Sequence, residues 1–227
     1  MLSGQPGRMQ RHEFSMKIGV FDSGVGGLSV ALAIERALPE YEIVYREDRE
    51  HVPYGTRTSE EILGFVVPIF ADMIELGCST IVVACNTVST TIIGPLRKQF
   101  PDTVLIAMEP MIKPAAIRTR TGVIAVCATP ATLTSQRYAE LKRQFASGLT
   151  VLEPDCSDWA GMIENGEVNV RIIADRINRI LDAHADMIVL GCTHYHWIQE
   201  EIRVLAEGRA TVLQPEHAIV RQVKKLL

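Results

Sequence analysis

Two cysteines stand at matching places in a chain of 227 residues. Ile81-Val82-Val83-Ala84-Cys85-Asn86-Thr87 and Ile188-Val189-Leu190-Gly191-Cys192-Thr193-His194 are each an apolar run ending in a small residue, a cysteine and hydrogen-bonding residues, and their cysteines lie 107 positions apart (85 to 192). Upstream of each is another strand-like run, Ile18-Gly19-Val20-Phe21-Asp22-Ser23 and Ile124-Ala125-Val126-Cys127-Ala128-Thr129, at an offset of 106 (18 to 124). The chain reads as two similar halves. Facing each other across a pseudo-two-fold axis, such halves deliver two thiols to opposite sides of one cleft, as inversion of a carbon centre requires. A cysteine between a strand end and a helix start sits where unsatisfied backbone N–H groups and the helix dipole favour an anion. Thiolate is therefore expected to be accessible near neutral pH. A single free cysteine is most often a buried structural residue. Two at equivalent places in a repeat reverse that reading, whereas Cys78, Cys127 and Cys156 have no such partner and are read as structural.

Groups able to hold a carboxylate or move a proton surround these thiols. Asn86, Thr87 and Thr193 supply side-chain donors beside the sulfurs. Asp22 and Ser23 close the first strand at Gly24-Val25-Gly26-Gly27, a turn that allows backbone to approach a ligand closely but lacks the GxGxxG spacing of a dinucleotide site. The plain reading of Asp22 is a helix-start aspartate. His194, two residues after Cys192, can assist a thiol by proton exchange or as an ion pair, while His196 reads as structural. Pro53-Tyr54-Gly55 is a turn whose N–H groups can bind an anion. Thr129-Pro130-Ala131-Thr132 is a capped helix start with spare hydroxyls. Each is a weak signal alone, and their shared location at strand ends is what adds up.

The elements that must position these groups alternate. Strands are expected at 17–21, 42–45, 80–84, 104–107, 122–127, 149–152 and 187–190. Between and after them, helices are expected at 28–38, 59–76 with a kink at Pro68, 87–100, from about 109 to 118, 135–145, 159–164, 168–183 and 197–207. Strands alternating with helices argue an α/β fold with mainly parallel sheets and helices on both faces, and in such sheets ligands bind beyond the carboxyl ends of the strands. Residues 1–15 are polar, carry no apolar core of a secretory signal, and read as a disordered extension or an alternative start ahead of Met16.

Composition narrows the function. A hydrophobic fraction of 47% with few aromatics is that of an α/β protein, and no apolar run approaches the ~20 residues of a membrane span. A formal charge of −4 with scattered basic residues gives no attraction to nucleic acid. Five cysteines without a CxxC pair are reduced, cytoplasmic usage.

On these residues the chain resembles the glutamate racemases, cofactor-independent members of the aspartate/glutamate racemase superfamily, from about Lys17 to Leu227. The resemblance is carried by Phe21-Asp22-Ser23-Gly24-Val25-Gly26-Gly27-Leu28, Pro53-Tyr54-Gly55-Thr56, Ala84-Cys85-Asn86-Thr87, Ala128-Thr129-Pro130-Ala131-Thr132 and Gly191-Cys192-Thr193-His194-Tyr195. It implies two pseudosymmetric Rossmann-like domains, 16–108 with 214–227 and 109–213, the tail packing back on the first and the substrate trapped in the cleft between them. It implies that Cys85 removes the α-proton of the D enantiomer and Cys192 that of the L enantiomer, the other thiol reprotonating the opposite face. Asp22 then assists Cys85, and His194, with Glu164 as a weaker carry-over, assists Cys192. Substrate contacts map onto Ser23, Pro53, Tyr54, Gly55, Asn86, Thr87, Thr129 and Thr193. No cofactor and no metal are implied, the partner is a small amino acid, and a homodimer is compatible with the family. The chain departs at Glu47 and His51, which flank Asp48, so an extra acidic group is expected near the entrance for an anionic substrate. It departs again at Leu213-Gln214-Pro215-Glu216, where an Asp-Ser pair commonly precedes the last helix.

Three other readings compete. Racemization of aspartate or another amino acid differs by pocket depth, a discrimination of only ~1–3 kcal/mol. Zinc on Cys85, Cys192 and His194 lacks close-spaced ligand pairs. A catalytically inactive interaction protein would have little need of both cysteines.

Overall fold

In a computed structural model, which describes residues 16–227, the chain forms two four-stranded parallel sheets. The stretch 1–15, expected as a disordered extension, lies outside the described residues. The first half runs β1 (Lys17–Asp22), α1 (Leu28–Ala37), β2 (Glu42–Glu47), α2 (Ser59–Glu75), β3 (Cys78–Val83), α3 (Asn86–Thr91), α4 (Ile93–Gln99) and β4 (Val104–Ala107). The second runs α5 (Ile112–Arg118), β5 (Val123–Ala128), α6 (Pro130–Thr134), α7 (Gln136–Phe145), β6 (Thr150–Leu152), α8 (Trp159–Glu164), α9 (Val170–Asp182), β7 (Met187–Gly191), α10 (Gln199–Ala206) and β8 (Thr211–Leu213). The last helix, α11 (Glu216–Leu226), follows.

Strand order is β2-β1-β3-β4 in one sheet and β6-β5-β7-β8 in the other, so the internal repeat read from the cysteines is a repeat of topology. Side chains alternate between the two faces of each sheet, as the two-residue period of a strand dictates. Phe21, Ile81 and Val83 pack under α2 with Val66 and Phe70, while Ile18, Val20, Val82 and Ala84 meet Val30 and Ile34 of α1. In the second sheet Ala125, Cys127, Ile188 and Leu190 pack with Ile173 and Ile177 of α9. There Ile124, Val126 and Val189 meet Ile112 and Tyr138 on the other face. Ile219 and Val223 of α11 join the cluster around α1, so the tail packs on the first half.

The differences from the sequence reading are local. The helix expected over 87–100 breaks at Ile92 (φ −128°) into α3 and α4. Pro95 has no N–H to continue the ladder there, and the hydroxyls of Thr90 and Thr91 bond back to the carbonyls of Asn86 and Thr87. Residues 193–198 form a 3-10 turn ahead of α10. The capped helix start read at Thr129 is α6, with the Thr129 side chain accepting from Thr132 N, whereas the three-residue strand β8 was beyond the reach of periodicity. Helix α2 runs through Pro68 and is closed at its start by a reciprocal cap between Thr58 and Glu61. At the final helix, whose N-cap is Pro215, Gln214 Oε1 accepts from Glu216 N at 2.8 Å.

Candidate active site

Register brings the cysteines to their neighbours. Phe21 pairs with Val83 in the first sheet and Ala128 with Gly191 in the second, so two residues further Ser23 comes beside Cys85, and one residue further Thr129 comes beside Cys192. Each sheet reverses its winding between these two strands, and a crevice opens beyond their carboxyl ends. The two crevices meet in a cavity of about 250 Å3. Ser23, Pro53, Tyr54, Gly55, Cys85, Asn86 and Thr87 line it from the first half, and Thr129, Glu164, Cys192, Thr193 and His194 from the second. Glycine is needed where the halves touch. A Cβ on Gly26 would lie 2.5 Å from the His194 backbone nitrogen, and one on Gly55 would lie 2.9 Å from Thr129 Cβ.

Asp22 alone among the expected residues is absent from the cavity wall. It is fully buried behind Ser23, and its carboxylate accepts from Gly27 N at 2.7 Å and from Thr193 Oγ1 at 3.1 and 3.2 Å. The Thr193 hydroxyl thus donates its proton across to the first half while the residue stays in the cavity wall. Glu47 is paired with Arg49 and accepts from the Tyr45 hydroxyl, and it lies outside the cavity wall. The sequence reading missed Val52, Thr56 and Pro130, together with Ser157, Ala160, Gly161 and Asn165 at α8. A signal existed, since the 153–158 segment follows β6 as the 48–56 segment follows β2, and the repeat makes both candidates for the wall.

The chain matches the family model described as Asp/Glu/Hydantoin racemase over residues 18–223. It belongs to that family. The glutamate racemase of Pseudomonas syringae pv. tomato is 39% identical, the match covering 92% of this chain and 78% of that protein. The glutamate racemase of a Roseiflexus species is 36% identical over 92% of this chain and 79% of its own. The Escherichia coli glutamate racemase, solved with L-glutamate and the activator UDP-MurNAc-ala, superposes with a TM-score of 0.82 at 33% identity, over 92% of this chain and 81% of that one.

The two thiols of the racemase sit in unlike surroundings. Burial lifts the Cys85 thiol to about 12, with the Asp22 charge adding to the rise, although Ser23 Oγ at 3.3 Å and the Val88 N–H pull the other way. The expectation of a ready thiolate therefore fails at Cys85, because removal from water outweighs the strand-to-helix position. On the other side, His194 Nδ1 lies 3.6 Å from Cys192 Sγ and its Nε2 lies 2.5 Å from Glu164 Oε1. Burial would push His194 down. Its bonds to Cys192 and Glu164 and the nearby charges prevail and lift it to about 11, which makes it an imidazolium at neutral pH. The bond from His194 holds Glu164 below the usual carboxylate range, against the opposing effect of burial. Asp22 is raised by burial, with His194 and the Thr193 bond opposing. His196 is pushed down to about 4 by burial and by its cationic neighbour, and its ring nitrogens are buried without a partner among the described residues.

Among the described residues no lysine or arginine lines the cavity. Asn86 lines this wall with both polar side-chain atoms buried and unpartnered. Such an orphaned amide in a native fold calls for a ligand. Among the described residues no group of three or more His, Cys, Asp or Glu is arranged to hold a metal ion.

Proposed function

We propose that the chain interconverts L- and D-glutamate by a two-thiol mechanism, supplying D-glutamate for peptidoglycan. The observation that carries this reading is that Cys85 and Cys192, one from each half, line one cavity whose other polar groups are neutral donors, the His194 imidazolium and the Glu164 carboxylate paired with it. The glutamate specificity of the relatives supports the choice of substrate.

In the L-to-D direction the Cys192 sulfur takes the α-proton while His194 balances the charge beside it. Cys85, held as a thiol, gives its proton to the opposite face of the carbanion, and the Cα–H bond broken on one side is replaced by one on the other. The D-to-L direction reverses these roles. An α-proton is far less acidic than a thiol, so the carbanionic transition state needs donors aimed at the α-carboxylate in a water-poor site. Asn86, Ser23, Thr87 and Thr129 are those donors, with Thr87 Oγ1 and Thr129 Oγ1 already 3.0 Å apart across the halves. Glu164 assists by fixing His194, and Asp22 by setting the charge around Cys85. No cofactor takes part. The enzyme works in the cytoplasm, where its free cysteines stay reduced. No helix among the described residues is long and apolar enough to cross a membrane.

Circular dichroism of the purified protein with L-glutamate tests the reading: the optical signal decays to zero. Parallel incubation with L-aspartate distinguishes the competing substrate, and decay with aspartate alone would overturn the assignment.

A further inference from the structure

Tyr54 forms part of the cavity wall, yet its hydroxyl proton is taken up elsewhere. It donates to Asp48 Oδ2 at 2.6 Å, a length typical of a charge-assisted bond. Asp48 is buried and lies outside the cavity wall, and His51 Nδ1 stands 2.9 Å from both of its oxygens. The His51 ring in turn stacks on Phe65 of α2, with centroids 3.8 Å apart and an interplanar angle of 12°. One buried carboxylate thus ties the end of β2, the turn over Tyr54–Thr56 and helix α2 together. A carboxylate is costly to bury without such donors, so their presence around Asp48 is the mark of a built junction.

What the junction holds is one jaw of the cleft. Gly55, next to Tyr54, comes within contact of Thr129 on the other half, and the loop at 52–56 supplies a continuous stretch of cavity wall. We propose that Asp48 is a positioning residue for the racemization, acting through the Tyr54 hydroxyl to hold this jaw at the distance that fits the substrate. The proposal rests on the racemase reading above. The jaw contacts substrate alike in ground and transition states, because proton transfer takes place at the thiols. Loss of Asp48 therefore weakens binding and leaves the chemical step nearly intact, a rise in KM with kcat preserved.

The experiment is steady-state racemization from both enantiomers, followed by circular dichroism, for full-length wild type, Asp48→Ala, Asp48→Asn, Tyr54→Phe and the Asp48→Ala/Tyr54→Phe pair. Asp48→Ala and Tyr54→Phe each raise KM about tenfold, the value of one hydrogen bond to a charged group, with kcat within about threefold of wild type. The double variant is no worse than the poorer single one, since both cut the same link. Asp48→Asn, which keeps an acceptor for the Tyr54 hydroxyl, recovers most of the KM. Multiplying effects in the double variant, a wild-type KM in Tyr54→Phe, or a loss confined to kcat would each overturn the proposal. Should Asp48→Ala fail to fold, Tyr54→Phe against Asp48→Asn still decides it. A wild-type protein without glutamate racemization would instead sink the underlying reading.

Discussion

Burial raises the Cys85 thiol, whereas Cys192 stands beside a cation, so the two sulfurs are unequal although their strands repeat. Replacing either with serine removes one ionizable face. Cys85→Ser and Cys192→Ser should each cut racemization by roughly 10²–10⁴-fold, as measured by circular dichroism, with far-ultraviolet spectra unchanged. Asp22→Asn and His194→Asn should lower kcat/KM equally in both directions, since enantiomers equilibrate at a ratio of one. With α-deuterated glutamate, however, the isotope effect should grow most from D to L for Asp22→Asn and from L to D for His194→Asn. Equal growth in both directions for both variants would mean that the Asp22 and His194 charges act as one unit. His194 also makes stability depend on pH. Its proton is held more tightly in the folded state, from the ordinary 6.5 up to about 11, so this contribution is full below about 6.5 and is lost as pH rises toward 11. Thermal unfolding between pH 7 and 10, on an axis set by those two values, should show a fall for wild type that is shallower in His194→Asn.

The glycine turn after β1 and the 3-10 turn after β7 are the elements that bring the halves into contact. Gly24 faces the Glu164 and His194 side chains, and Gly26 faces the backbone of Thr193 and His194, so at Gly26 an added methyl meets groups that cannot yield cheaply. Gly26→Ala should cost about 1–3 kcal/mol of stability and more than tenfold in activity by displacing the imidazolium from Cys192. Gly64→Ala is the contrasting case. Nothing lies within 4 Å of its added methyl, within α2, and about 0.5–1 kcal/mol of stabilisation is expected there. Denaturant melts of the two variants should move in opposite directions.

At the scale of the molecule, α11 belongs to the sheet that opens the chain. Ile219 and Val223 are buried with Val30 and Ile34, and burial of each such side chain contributes about 1.5–3 kcal/mol. Removing residues 214–227 should therefore lower the melting temperature and abolish racemization, although the helix holds no group of the cavity wall. Full activity in the truncated protein would deny the tail its part in the first half. Prolonged dialysis against a chelator should leave the wild-type rate unchanged, because every group assigned a step here is a side chain of the chain itself. Metal-dependent recovery of activity would count against the mechanism.

The strand alternation, the repeat and the residues gathered at the strand ends were legible in the sequence because each is a local signal. Apolar runs of period two mark strands wherever they fold, and Asp22, Ser23, Cys85, Thr129 and Cys192 follow those runs directly. Carboxyl-end placement in a parallel sheet then put them together. What the sequence left open depended on contacts between distant residues. The bond from Thr193 to Asp22 spans 171 positions and makes Thr193, which also lines the cavity, a tie between the halves. The pairing of Glu47 with Arg49 gives that carboxylate a counter-ion that the sequence reading did not assign to it. Above all, the protonation of Cys85 was decided by the tertiary structure. A strand-to-helix turn favours the thiolate, but the closing of two halves over it excludes the water that would solvate the charge, and that loss is the larger effect.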